Sequence, residues 1–292
     1  MKNISTYRVL QLVATGVIIW LFGAGCEPAM QDGPVSPIEP VRGKQNIHEA
    51  VAALNAHRER IRPIRAGGNC RVEWYESDGT LKRENPAIQL RMVPPSRLYF
   101  VGEIIGSEVV QFGTNPQEFW FRLKPKEVSS YWWGIRETAR KCRSGGMLNP
   151  ESVLEALGIV DIDANWTLVG REGFDILTLN DFAGIPIKRV YVDWRDYLVR
   201  NIEYFDAYGE IVAAAGMSGY GEDSGGIPVP TQIAIQYFQS SGGSLSISMT
   251  LRGVRLFEPT EVQLKGLFAR PSTDGFENIY VLADNCEFVR AE

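Results

Sequence analysis

Histidine and cysteine supply much of the side-chain chemistry that proteins perform near neutral pH, and this chain is poor in both. It holds two histidines, His48 and His57, and four cysteines, Cys26, Cys70, Cys142 and Cys286. That leaves little for a zinc site or a histidine-based triad. No serine sits in a Gly-x-Ser-x-Gly elbow. Gly216, Gly219 and Gly221 lack the surroundings of a dinucleotide fingerprint, and no phosphate loop occurs. Asp161, Asp163, Asn165, Leu168 and Glu172 match calcium-loop positions one, three, five, eight and twelve, but Trp166 stands at the sixth, where the turn needs glycine. The residues after it read as strand, so a capped loop is expected there. The sequence points to no enzyme, no cofactor and no metal.

Cys26 is the cysteine with a prescribed chemistry. Lys2 and Arg8 open the chain without an acid, Val9 to Phe22 is mostly apolar, and Gly23-Ala24-Gly25 precedes the cysteine. Basic start, short apolar middle and small-residue end are the order of a secretory signal. The apolar run is shorter than the roughly 20 residues of a spanning helix. The small residues ending at cysteine resemble the lipobox of bacterial lipoproteins. That resemblance implies cleavage before Cys26 and acylation of Cys26, with residues 1–25 as signal peptide. Glu27, in place of an aspartate, leans towards the outer membrane. Residues 26–44 carry Pro28, Pro34, Pro37 and Pro40 and read as a tether of polyproline character. Without the first 25 residues the chain has 28 basic and 35 acidic residues, a net charge of −7. An acidic body without a basic run argues against nucleic acid as a partner.

Residues 45–292 must position whatever the chain binds. Asn46 and Glu49 form a capping-box pattern, and Ile47, Val51, Leu54 and Ile61 share one helical face, predicting a helix over 46–61. From Gly68 the apolar period becomes two. Strands with short connections follow to Trp133, with turns at Ser77-Asp78-Gly79 and Asn115-Pro116. Asn149, Pro150 and Gly158 mark start and stop of a helix in an insertion at about 137–158. Strands resume from 166 to 252, interrupted by a flexible stretch over Gly219–Pro228 and by Gly242-Gly243. A short helix within Pro259–Ala269 and a strand over 278–289 end the chain. The expected fold is mainly β (α+β): an unclosed, strongly curved antiparallel half-barrel of about 11–12 strands with covering helices.

The run Asn85-Pro86-Ala87-Ile88-Gln89-Leu90, then Gly106-Ser107, Phe119-Trp120-Phe121, Lys124-Pro125 and Tyr131-Trp132-Trp133-Gly134, resembles the LolA/LolB superfamily of periplasmic lipoprotein-localisation factors. Val192-Asp193-Trp194 and Phe205-Asp206-Ala207-Tyr208-Gly209-Glu210 extend the likeness over about 46–290. The resemblance implies a half-barrel whose apolar concave face takes acyl chains. The chain is similar to LolB in carrying an anchor, and it is longer than either factor.

Val72, Trp74, Leu90, Phe100, Phe119, Phe121, Val190, Val192, Ile233 and Ile235 are the inward candidates for a hydrophobic ligand site. The alternative is that they fill the core and that an outer face docks a protein partner. In LolB a hydrophobic loop enters the acceptor membrane. Ile104 and Ile105, between Gly102 and Gly106, occupy a comparable place. With Cys26 acylated, the other three cysteines allow three single pairs. Cys70 and Cys286 lie in the first and last predicted strands, which a curling sheet would bring together. A monomer, held to the bacterial envelope by its lipid, is the expected state.

Overall fold

The computed structural model describes residues 42–75, 79–124, 129–142, 149–221, 226–238 and 244–291. The expected signal peptide, Cys26, the tether before Arg42, and the residues Ser77-Asp78, Pro125, 222–225 and Gly242-Gly243 lie outside the described residues. Val41–Glu292 forms one compact unit.

Helix α1 (Ile47–Arg60) starts at Asn46, whose side chain accepts the Glu49 N–H, and turns Ala50 and Leu54 inward. The first strands are β1 (Ile64–Tyr75), β2 (Leu81–Glu84), β3 (Ala87–Val93), β4 (Arg97–Ile104), β5 (Ser107–Thr114), β6 (Glu118–Leu123) and β7 (Ser130–Ile135). Two short helices follow, α2 (Arg136–Lys141) and α3 (Pro150–Glu155), the second capped by Asn149 with Pro150 in its first turn. Strands β8 (Thr167–Arg171), β9 (Phe174–Asn180), β10 (Pro186–Asp193), β11 (Val199–Phe205), β12 (Ile211–Ser218), β13 (Gln232–Phe238) and β14 (Ser244–Leu256) come next. Helix α4 (Glu261–Leu267), opened by a Thr260–Gln263 capping box, precedes β15 (Asn278–Leu282) and β16 (Phe288–Arg290).

All sixteen strands join one sheet, in the order β16-β15-β7-β6-β5-β4-β3-β1-β14-β13-β12-β11-β10-β9-β8, with β2 also on β1. This corrects the expected fold class. The sheet is open, with β16 and β8 as its two ends and no ladder between them among the described residues, so the strongly curved half-barrel of 11–12 antiparallel strands is not what forms. It is also mixed, because β15 runs parallel to β7. Two causes hid this from the sequence. Strand β2 is exposed throughout and shows no apolar alternation. The pairing of β15 depends on a long return across the sheet, which no local pattern encodes.

One face of the sheet carries the main core. Ile64, Leu90, Met92, Leu177, Val190, Ile202 and Leu251 meet Leu54 of α1, Leu154 of α3 and the stretch Leu157–Trp166 in a single cluster. On the opposite face the segment from Phe257 to Phe276 crosses β6 and β7 like a strap. It covers Trp120 and Tyr131, both without solvent exposure. Tyr131 donates to the Pro271 carbonyl at 2.8 Å, Asn115 donates to the Phe268 carbonyl at 3.0 Å, and Arg270 pairs with Glu118 at 2.9 Å. Arg270 lies 4.0 Å from the Trp133 ring centre. Gly113 makes room for Trp120, since a Cβ there would stand 2.2 Å from the indole ring.

Candidate functional site

Directly opposed residues on neighbouring strands share a face. Following register outward from the core gives Leu90, Phe100, Phe112, Phe121, Trp132 and Tyr280 in one row across β3, β4, β5, β6, β7 and β15. Phe112 is buried in the core cluster, with Phe100 and Phe121 packed half-buried against it. Trp132 and Tyr280 continue the row beyond the cluster and are half-buried. Their rings stack at 5.5 Å and 12°, and Phe121 lies 5.6 Å from Trp132. The row is a strip of aromatic surface that runs out from under the helices towards the β16 edge.

The ten inward candidates divide along this row. Leu90, Val190, Val192, Ile233 and Ile235 belong to the core cluster, each at 8% exposure or less. Val72, Phe100 and Phe121 pack half-buried on its margin. Trp74 is half-buried near the end of β1. Phe119 is buried outside that cluster, edge-on to Phe288 at 6.4 Å. Phe112, Trp132 and Tyr280 were not among the candidates. Strand alternation places Trp132 on either face until its register against Phe121 is known, and Tyr280 enters only through the parallel β15.

Two buried carboxylates of the core are hydrogen-bonded on both oxygens. Asp175, fully buried in β9, accepts the Lys44 N–H at 2.8 Å, the Trp194 indole N–H at 2.9 Å and the Tyr197 hydroxyl at 2.9 Å. Burial and that carboxylate push the Tyr197 hydroxyl above its usual range. Glu155 of α3 accepts the Tyr204 hydroxyl at 2.6 Å and pairs with Lys188. Asp175 thus ties the chain just before α1 to the β10–β11 turn, and Glu155 ties α3 to β10 and β11. Asp193, held by the Arg195 side chain, stays ionised down to about pH 2. His48 is exposed, whereas His57 is half-buried, and burial lowers its pKa.

The calcium-loop match does not converge. Asp161 pairs with Arg58, Asp163 caps the Asn165 N–H, and Glu172 sits beyond β8 beside Arg171. Among the described residues no group of His, Cys, Asp or Glu is placed to hold a metal ion. The disulfide expectation is corrected. Cys286, in the β15–β16 turn, is bonded to Cys142 after α2, with Cα atoms 5.4 Å apart. Cys70 is a buried free thiol pushed up to about 12 by burial, and so is unreactive. In a sheet that does not curl back, five strands stand between β1 and β15. At the β4–β5 turn, Ile104 is half-buried and Ile105 is fully exposed at φ 50°, followed by Gly106 at φ 73°.

Two shallow depressions, of about 230 and 350 Å³, flank Arg65. The first is lined by Arg65, Gln89, Arg91 and Arg255 as well as Leu90, which is not a lining for an acyl chain.

No family model matches the chain, and no curated protein does. Solved structures do. A DUF1329 family protein from Desulfovibrio piger is similar at TM-score 0.51 and 12% identity, over 77% of this chain and 98% of that one. What they share is a fold. A LolA superfamily protein from Nitrosomonas europaea matches at TM-score 0.46 and 12% identity, over 78% of this chain and 99% of its own. An outer membrane lipoprotein-sorting protein domain from Vibrio parahaemolyticus matches at TM-score 0.46 and 10% identity, over 73% and 94%.

Proposed function

We propose that this chain is an envelope lipoprotein, held to a bacterial membrane through acylated Cys26, that binds acyl chains or another hydrophobic ligand on the core face of its sheet. The ligand lies on the strip Phe100–Phe121–Trp132–Tyr280, where the face emerges from under α1 and α3. One observation carries this reading: a single cross-strand row of five aromatic side chains on the face that elsewhere forms the core, of which Phe112 is buried and the other four are half-buried. Aromatic surface of this kind gains by covering with apolar matter. The outer membrane, facing the periplasm, is the proposed location, and lipoprotein or lipid localisation the proposed role. Ile105, with Ile104 beneath it, is the proposed membrane-inserting loop. The protein acts as a monomer, without cofactor or catalysis.

A second reading has its own support. Five of the ten inward candidates are core residues packed on the helices, which favours a filled lipoprotein that docks an envelope partner. Native purification of the full chain, followed by organic extraction and lipid mass spectrometry, separates the two. The first reading expects a co-purified acyl ligand that Trp132→Ala depletes while the disulfide and the unfolding midpoint are kept. An extract holding only the anchor on Cys26 leaves the second reading standing.

A further inference from the structure

Strand directions place the hairpin tips β4–β5, β9–β10 and β11–β12 on one rim of the sheet, together with the β1–β2 turn and the end of β13. The most exposed large apolar side chains among the described residues are on that rim: Phe182 (111%), Ile105 (100%) and Tyr208 (89%). Tyr75, Leu81 and Phe238 add half or slightly less of their surface at strand ends beside them. Residues at such tips are ordinarily small and polar.

Phe182 and Tyr208 are displayed by two copies of the same turn. Asp181 accepts the Ala183 and Ile185 N–H groups, each at 2.8 Å, and Gly184 supplies φ 81°. Asp206 accepts the Tyr208 and Glu210 N–H groups at 2.8 and 3.0 Å, and Gly209 supplies φ 82°. The turns touch, since a Cβ on Gly209 would lie 3.6 Å from the Ile185 side chain. With β10 paired to both β9 and β11, the tips stand two strand spacings apart, about 10 Å. Each turn is pre-organised, so its ring is held out in water at little further ordering cost when it is covered.

We infer that this rim is a lipid-interface docking edge, with Phe182 and Tyr208 as its rigid insertion points. The inference rests on the anchored reading above. Single protruding rings spread along a rim suit a bilayer, which needs no matched surface, better than a protein, which needs a contiguous patch of about 800 Å². The chain outside the structure is long enough. It enters at Gly43–Lys44 against Asp175, near the start of β9 and so at the opposite rim. Residues 26–41 can span about 50 Å when extended, whereas β9 is seven residues long, or about 23 Å. Asp181, Asp206 and Glu210 flank the tips, so attachment is apolar and insensitive to salt.

The full chain is mixed with phosphatidylcholine vesicles bearing brominated acyl chains, which quench nearby tryptophan. Phe182→Trp and Tyr208→Trp report the tips. Val262→Trp, on exposed α4 beyond the end of β14, is the control. The added emission at 182 and 208 is expected to lose most of its intensity, equally at low and high salt, while that at 262 is kept. Emission unquenched at both tips overturns the inference and leaves the rim to a protein partner. Equal quenching at all three positions overturns it as well. Failure of the anchored reading shows separately, as a full-length chain whose mass carries no acyl groups on Cys26. The tips of such a chain still report insertion or its absence.

Discussion

Between β8 and β12 the face away from the helices is polar: Arg189, Tyr191 and Glu203 bond one another there, at 3.0 to 3.5 Å. At β6 and β7 the same face is buried, because Trp120 and Tyr131 lie beneath the strap that leads from β14 to β15. The first region therefore has one apolar face, and α1 and α3 cover it. The second has two, and the strap takes the outer one. Its inner strip, from Phe121 to Tyr280, is only half covered. The contrast shows how a sheet of this size can spare a surface for binding: stability in the second region is drawn from the side that does not bind.

The sharpest way to break this comparison is Trp120→Ala. The side chain is fully buried, and truncating such an aromatic costs about 3–5 kcal/mol. Urea unfolding is expected to show that loss, with ligand retention intact in the fraction that stays folded. A loss near that of an exposed residue would mean the strap is not core. The first region is tested next by Glu155→Ala, which strands Lys188 in a site where the pair's side chains are 17% and 6% exposed. Removing one partner of a buried pair costs about 3 kcal/mol. Combining Glu155→Leu with Lys188→Met should recover only part of it, since the buried Tyr204 hydroxyl still loses its acceptor, measured by the same unfolding series.

These two regions were unequally legible in the sequence. The alternation of Val190 with Val192 and of Ile233 with Ile235 marked buried faces, and all four are in the core. Asn46 and Asn149 announced helix starts through their caps. In the second region the pattern was ambiguous, because Tyr131, Trp132 and Trp133 are all aromatic and period two cannot say which face is solvent. Both faces are covered there, one by a segment 140 residues further along the chain. The same long return sets β15 against β7 and places Cys286 beside Cys142. Such pairings depend on where distant parts of the chain meet, and local spacing holds no record of it.

Ile105 gives the smallest effect and the one with opposite signs in stability and function. A β-branched side chain at φ 50° is disfavoured, and in this two-residue turn glycine fits without strain. Nothing in the fold offsets the strain, since the side chain is fully exposed. Ile105→Gly is therefore expected to stabilise the protein by about 0.5–1 kcal/mol, after the greater flexibility of glycine in the unfolded chain is set against the relieved strain. If the isoleucine serves a membrane contact, the same variant binds phosphatidylcholine vesicles more weakly even though it unfolds at higher urea. A variant that is more stable and binds equally well would show that the residue is merely tolerated. One that is less stable would show that the turn itself prefers another conformation. Only a gain in stability joined to a loss of binding marks Ile105 as a residue kept for contact, at the tip of the half whose inner face remains partly open.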